Sequence, residues 1–127
     1  MALVAKNGTP SLSSQTPSHE HMIVGLSAGE DIAAGDACYI HSNGSVMRSI
    51  GTAANAAAKV RGYALIDAPS GEAVTLAHGV NFAYGSGLTP GADYYLGATA
   101  GRLDTAATTG GTAPIGFAVD TTRIHLK

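Results

Sequence analysis

Five histidines, nine carboxylates, one cysteine and a serine-rich stretch are the groups in this chain that could do chemistry. His19-Glu20-His21 puts two imidazoles on one side of an extended strand, and imidazole nitrogen is a good zinc ligand. Structural zinc wants four ligands, however, and no cysteine lies nearby, so the motif reads as part of a polar segment. His41, His78 and His125 fall in or at the ends of expected strands, on solvent-facing positions. Ser11, Ser13, Ser14 and Ser18 lie close to His19, but a Ser-His-Asp triad needs a rigid scaffold and an oxyanion hole. A polar, proline-bearing segment offers neither. Glu30, Asp31 and Asp36 cluster around a turn, where carboxylates usually bond to local amides rather than converge on a cation. Gly85-Ser86-Gly87 and Gly110-Gly111 are not followed by Lys-Ser/Thr or by a helical pattern, so they read as turns rather than phosphate loops. Cys38 has no partner for an internal disulfide and sits beside Tyr39 and Ile40, as a buried packing thiol does. The expectation is a chain that is not an enzyme, with no catalytic, metal or cofactor-binding residues.

The elements that must position these groups are short. With 127 residues the chain is one domain by length, able to bury roughly two-thirds of its unfolded surface without disulfides or metal. Charged residues make up 13% and the net charge is −2, with Lys and Arg dispersed, so no basic stripe exists to neutralise a run of phosphates. Nucleic acid is not an expected partner. No apolar run approaches the ~20 residues of a membrane-spanning helix, and Met1–Pro10 lacks the pattern of a secretory signal, so a soluble, unexported chain is expected. Seventeen scattered glycines between short apolar runs imply many turns.

Residues 1–17 differ from the rest. Asn7 to Ser18 is polar, carries two prolines and has no apolar alternation, so Met1–Pro17 is expected to be an extended arm lying on a partner or on its own domain. From Met22 the pattern is that of strands: Met22–Leu26, Ala37–His41, Ser45–Ile50, Val60–Asp67, Glu72–His78, then alternation at Val80, Phe82 and Tyr84. Asn43-Gly44 is a hairpin-turn dipeptide. Thr52–Lys59 is too short to hold a helix in water, and reads as a loop with at most one helical turn.

The chain also matches itself. A series from Ala34-Gly35-Asp36 through Tyr39, Gly44, Val46, Gly62-Tyr63-Ala64 and Val74-Thr75-Leu76 is repeated from Pro90-Gly91-Ala92 through Tyr95, Gly101, Leu103, Gly116-Phe117-Ala118 and Ile124-His125-Leu126. Two copies of one β-unit suggest a pseudo-two-fold barrel or sandwich. The expected fold is therefore all-β, a small β-sandwich or barrel of two related halves spanning 18–127, with the arm at 1–17. Its expected core is Ile23, Ile40, Val46, Val60, Leu65, Val74, Leu76, Phe82, Leu96, Ile115, Phe117, Val119 and Leu126.

The Ala-Gly-Asp turn, the strand with Tyr39, the Asn43-Gly44 turn, Gly62-Tyr63-Ala64, Gly71-x-x-Val74-x-Leu76 and above all Gly87-Leu88-Thr89-Pro90-Gly91 followed by Tyr94-Tyr95-Leu96 resemble small β-rich domains of tailed-phage virions. Those domains include capsid decoration (cement) proteins and modules of head and tail fibres. The resemblance covers about Leu26 to Lys127. It implies a viral structural protein made in the host cytoplasm and seated on the outer capsid surface, often as a homotrimer. Its partner would be the major capsid protein and its task capsid stabilisation. A terminal arm reaching onto the shell or a neighbour would use Ala2, Leu3 and Val4 as its apolar tip, with Leu12 as the other anchor. One β-domain plus an arm leaves no room for a fibre shaft, which favours decoration over a head-fibre or tail-associated adaptor. A carbohydrate- or cell-surface-binding module is the rival from another class, with Tyr63, Tyr84, Tyr94 and Tyr95 as its stacking faces.

Overall fold

The runs between glycine turns are too short for helices and rich in residues that fill a pleated surface, and among the described residues they form eleven strands. The computed structural model describes residues 3–12 and 21–127. The strands are β1 (Ser11–Leu12), β2 (Met22–Ser27), β3 (Ala37–Ile40), β4 (Val46–Arg48), β5 (Gly62–Ala64), β6 (Ala73–Ala77), β7 (Val80–Ala83), β8 (Asp93–Leu96), β9 (Leu103–Asp104), β10 (Gly116–Ala118) and β11 (Arg123–Leu126). Thr52–Lys59, expected as a loop with at most one helical turn, holds a 3-10 turn at Ala56–Ala58, capped by Asn55, whose Oδ1 accepts from the Ala57 amide at 3.0 Å.

Two antiparallel sheets result, a five-stranded one in the order β2-β6-β5-β3-β4 and a six-stranded one in the order β1-β7-β11-β10-β8-β9. Without β1, the second order is the first repeated by the second half of the chain. The registers agree residue by residue. Cys38 faces Gly62 as Tyr94 faces Gly116, and Ala37 faces Tyr63 as Asp93 faces Phe117. Ile40 faces Val46 as Leu96 faces Leu103. Ala64 faces Leu76 as Ala118 faces Ile124. This last pairing matches Ile124 to Leu76 rather than to Val74. A slip of two residues keeps every side chain on the same face, so the hydrophobic pattern alone does not detect it.

The hairpin turns repeat as well. Gly44 and Gly101 occupy matching positions with φ of +88° and +76°, the left-handed region that residues bearing a β-carbon avoid. Around Gly44 the loop is longer than a two-residue turn: the His41 amide donates to the Ser45 carbonyl, and Asn43 Oδ1 accepts from both the Ser45 amide and its hydroxyl.

The two halves form a sandwich, but like faces do not meet across it. Cys38, Val46, Ala64, Val74 and Leu76 lie on one face of the five-stranded sheet, in a cluster roofed by Ala28, Ile32 and Ala68 from its own loops. From the opposite face, Ala37, Tyr63 and Ala77 pack with Phe82, Tyr94, Leu96, Ala118, Ile124 and Leu126 of the six-stranded sheet. A two-fold between the sheets would bring equivalent faces together. Here the face of the second half that carries Tyr94 and Ile124 docks onto the back of the face that carries their counterparts Cys38 and Leu76. The halves are stacked in the same sense, which corrects the pseudo-two-fold expectation. The five-stranded sheet is consequently covered on both sides, with all three residues of β5 buried. The described residues cover the six-stranded sheet on one side, and its strands alternate buried and half-buried.

Burial follows from this stacking. Val46, Val74, Leu76, Phe82, Leu96 and Leu126 are core as expected, whereas Ile40 is 40% exposed. Phe117 and Val119 are half-buried, Phe117 because it belongs to the uncovered face. Tyr63, Tyr84, Tyr94, Leu103 and Ile124, absent from the expected core, are buried.

Residues 3–12 belong to this domain rather than to a separate arm. Leu3 bridges Asp104, and the Val4 amide donates to the Leu103 carbonyl at 3.0 Å. Lys6 Nζ bonds to buried Asp36 at 2.9 Å and to the Ala34 carbonyl at 3.1 Å, and the Asn7 amide donates to the Tyr84 carbonyl. Buried Pro10 lies over Gly35, where a β-carbon would come within 2.8 Å of its ring, and β1 then pairs with β7. The segment thus crosses the six-stranded sheet from its β9 edge to its β7 edge. The polar composition that suggested an arm is offset by buried Val4 and Pro10, an ion pair to a buried carboxylate and borrowed backbone hydrogen bonds.

Candidate interaction surface

Several of the described groups that could do chemistry make structural contacts. Asp36 Oδ1 accepts from Lys6 and its Oδ2 from the Ala33 amide at 2.9 Å, which satisfies a carboxylate that burial would otherwise penalise. Glu30 accepts from the Arg48 amide and guanidinium, and Asp31 from the Ser70 amide. The three turn carboxylates therefore point to three different partners. Cys38 is wholly buried, and burial, together with the nearby Asp36 and Glu30 carboxylates, pushes its thiol far above the usual range. His21 donates from Nδ1 to the His78 carbonyl at 3.1 Å, with the two rings 5.9 Å apart. His19 and Glu20 lie outside the described residues, as do Ser13, Ser14 and Ser18. Gly85-Ser86-Gly87 and Gly110-Gly111 lie in loops between strands. Among the described residues no three His, Cys, Asp or Glu side chains gather to hold a metal ion, and no helix is long and apolar enough to cross a membrane.

The residues expected to touch a capsid or neighbour are dispersed. Val4 is 5% exposed in the sandwich core and unavailable to a partner. Leu3 is 40% exposed at the β9 edge. Leu12 is a strand residue opposite Phe82, and Ala2 lies outside the described residues. Of the four tyrosines expected as sugar-stacking faces, Tyr63, Tyr84 and Tyr94 are core, and only Tyr95 reaches the surface.

Among the described residues, nothing covers the outer face of the six-stranded sheet. A cross-strand row runs over it, Asp93 opposite Phe117, Phe117 opposite His125, His125 opposite Asn81. The Phe117 and His125 rings are 5.2 Å apart at 33°, close enough to stabilise one another as a cross-strand pair. His125 Nδ1 donates to Asn81 Oδ1 at 2.7 Å, which leaves Nε2 on the far side of the ring from that bond. Tyr95 stands two residues along β8 from Asp93, on the same side. Asp93 is exposed and the others are half-buried. At the β10–β11 turn, Asp120 accepts from the Thr122 and Arg123 amides and, at 2.7 Å, from Arg123 Nε. Those bonds lower its carboxyl from the usual range to about 2, the Thr122 amide contributing most.

The matching row in the first half is Ala37, Tyr63, Ala77 and Met22. There it is the inner surface, where Ala37, Tyr63 and Ala77 are wholly buried against the second sheet. The same strip of the same β-unit is covered once and uncovered once. Period-two alternation identifies the members of the row, yet only the sense of stacking decides which copy faces outward, and sequence alone carries no signal for that.

No protein-family model matches the chain, and no curated protein matches it.

Proposed function

We propose that this chain is a capsid decoration protein that seats the outer face of its six-stranded sheet on the shell of a tailed-phage head and stabilises it without doing chemistry. The observation that carries the reading is the uncovered row Asp93-Phe117-His125-Asn81 with Tyr95 beside it, on a domain whose other broad face is roofed by its own loops. Aromatic side chains with polar tips are the residues that favour protein interfaces, since they contribute area at low entropic cost. Phe117 is already half-buried, so covering the rest of it on a partner supplies up to about 1.5 kcal/mol, and repetition over many copies turns a weak contact into a clamp on the lattice. The resemblance of the turn and strand series to decoration proteins supplies the partner, the major capsid protein. The contact differs from the arm tip that the resemblance implies, because Val4 holds the domain together instead.

The test is to mix the purified full chain with expanded, undecorated heads and count the copies bound per shell. Hundreds of copies support cementing. A dozen or fewer would assign the chain to a fibre or tail adaptor, and none would remove the virion reading.

A further inference from the structure

His21 and His78 lie 57 residues apart in sequence and side by side in the fold. His21 immediately precedes β2, and His78 immediately follows β6. The antiparallel register that sets Met22 opposite Ala77 sets these two opposite each other as well, and the His78 amide donates to the His21 carbonyl at 3.0 Å. Residues opposite each other on a ladder project from the same face, with β-carbons about 4.5–5.5 Å apart. The imidazoles meet accordingly, their centroids 5.9 Å apart and their planes at 52°. Read along the chain, His19-Glu20-His21 has no further ligand near it, whereas the ladder brings His78 to its last residue.

The His21 ring is held from two sides. Its Nδ1 donates to the His78 carbonyl at 3.1 Å, and the ring lies over Gly79, where a β-carbon would come within 2.9 Å of Nδ1. Gly79 also has a φ of +64°, so the turn between β6 and β7 needs glycine for its backbone and for the ring above it. A carbonyl on one ring nitrogen fixes the tautomer and leaves the lone pair of the other, here Nε2, free to bind a metal ion. Among the described residues nothing hydrogen-bonds to the His78 ring. Both residues are half-buried, so solvent reaches them. Two imidazoles sharing a tetrahedral zinc ion at about 2.0–2.1 Å per nitrogen have centroids roughly 5 Å apart, so a small rotation of the His78 side chain closes the difference.

We propose that His21 Nε2 and the His78 imidazole together bind one divalent transition-metal ion of the zinc type, with water completing its shell. Neutral imidazole suits such ions, whereas Mg²⁺ and Ca²⁺ prefer oxygen ligands. Two protein ligands hold the ion less tightly than the four of a structural zinc site, so it adds to a fold that two apolar clusters already hold together. Its effect is to staple the start of β2 to the turn after β6. Because only the folded ladder sets the two rings side by side, the ion stabilises the native state. The site goes beyond the shell-binding reading and is decided in the absence of heads.

The test titrates the full-length chain with zinc chloride at neutral pH by calorimetry, for the native protein, His21→Gln, His78→Gln and, as a control, His41→Gln, whose ring sits at the Asn43-Gly44 turn. One ion per native chain is expected, with micromolar affinity that is unchanged in His41→Gln. Binding should be at least about tenfold weaker in His21→Gln and in His78→Gln, each with an unchanged far-ultraviolet circular dichroism spectrum. Excess zinc should raise the native melting temperature, and magnesium should not. Should either variant fail to fold, copper decides on the native chain: substoichiometric Cu²⁺ should broaden the imidazole proton resonances of His21 and His78 ahead of those of His41 and His125. No zinc binding by the native chain, undiminished binding by folded His21→Gln or His78→Gln, or copper broadening that spares His78 would overturn the proposal.

Discussion

Tyr63 and Phe117 hold the same position in the two halves, Tyr63 opposite Ala37 and Ala77, Phe117 opposite Asp93 and His125, yet only Tyr63 is sealed between the sheets. Its hydroxyl crosses the sandwich and donates to the Ile115 carbonyl at 3.0 Å. Equal positions in one β-unit thus carry unequal energetic weight.

Truncation should expose that difference. Tyr63→Ala is expected to cost about 3–5 kcal/mol, as large core aromatics do, and Phe117→Ala under about 2 kcal/mol. Tyr63→Phe removes one hydrogen bond, worth about 1 kcal/mol, and leaves the Ile115 carbonyl satisfied by the Lys127 amide. Urea denaturation of the three variants checks the order. Equal losses for Tyr63→Ala and Phe117→Ala would mean that the outer face is not open.

The N-terminal segment is predicted to be structural. Val4→Ala should lower stability by about 1–3 kcal/mol, and Leu3→Ala by well under 1 kcal/mol, since only Val4 is core. Lys6→Met leaves buried Asp36 without its cation and should destabilise more than an exposed ion-pair deletion does. Thermal melts of the three variants provide the readout, and a chain indifferent to Val4 and Lys6 would mean that the segment is an appendage.

Cys38 should be silent in the native state. Its burial and raised thiol pKa predict no reaction with a thiol-specific reagent at neutral pH, and one equivalent once the chain is unfolded. Rapid native labelling would contradict the roofed cluster beneath Ala28, Ile32 and Ala68.

Asp120 sets an expected acid response. Its folded-state carboxyl is lowered from 3.8 to about 2, so the stabilisation it contributes is fully present above about pH 4 and is lost as pH falls through 2. Asp120→Asn should therefore flatten the dependence of the melting temperature on pH between 4 and 2, with a slightly lower melting temperature than the native chain above pH 4 and an equal one near pH 2. The carboxylate is exposed, so the effect is small.

Much of this architecture was legible because strand periodicity and turn glycines are local properties. The paired turns at Gly44 and Gly101 marked the repeat, and alternation around Leu76 and Phe82 marked the core. The same alternation contained more than was read from it. Tyr94 shares its face with Leu96, and Tyr84 with Phe82, so both belonged to the core rather than to a sugar-stacking surface. Val4 and Lys6 were hidden for another reason, since their partners Leu103 and Asp36 are distant in sequence and only the folded sandwich brings them near. The open row was out of reach altogether. Periodicity groups Phe117 with His125, but whether that face is buried depends on how one half stacks on the other.

The most direct measurement of the central claim compares binding to undecorated heads by the native chain, Phe117→Lys and Ile66→Lys. Ile66 is 62% exposed and lies beyond β5, away from the row, so its variant controls for a lost surface apolar group. The account predicts near-native occupancy for Ile66→Lys and at least tenfold weaker binding for Phe117→Lys, about 1.4 kcal/mol or more. Full occupancy by folded Phe117→Lys would contradict the assignment of the outer face as the surface that meets the shell.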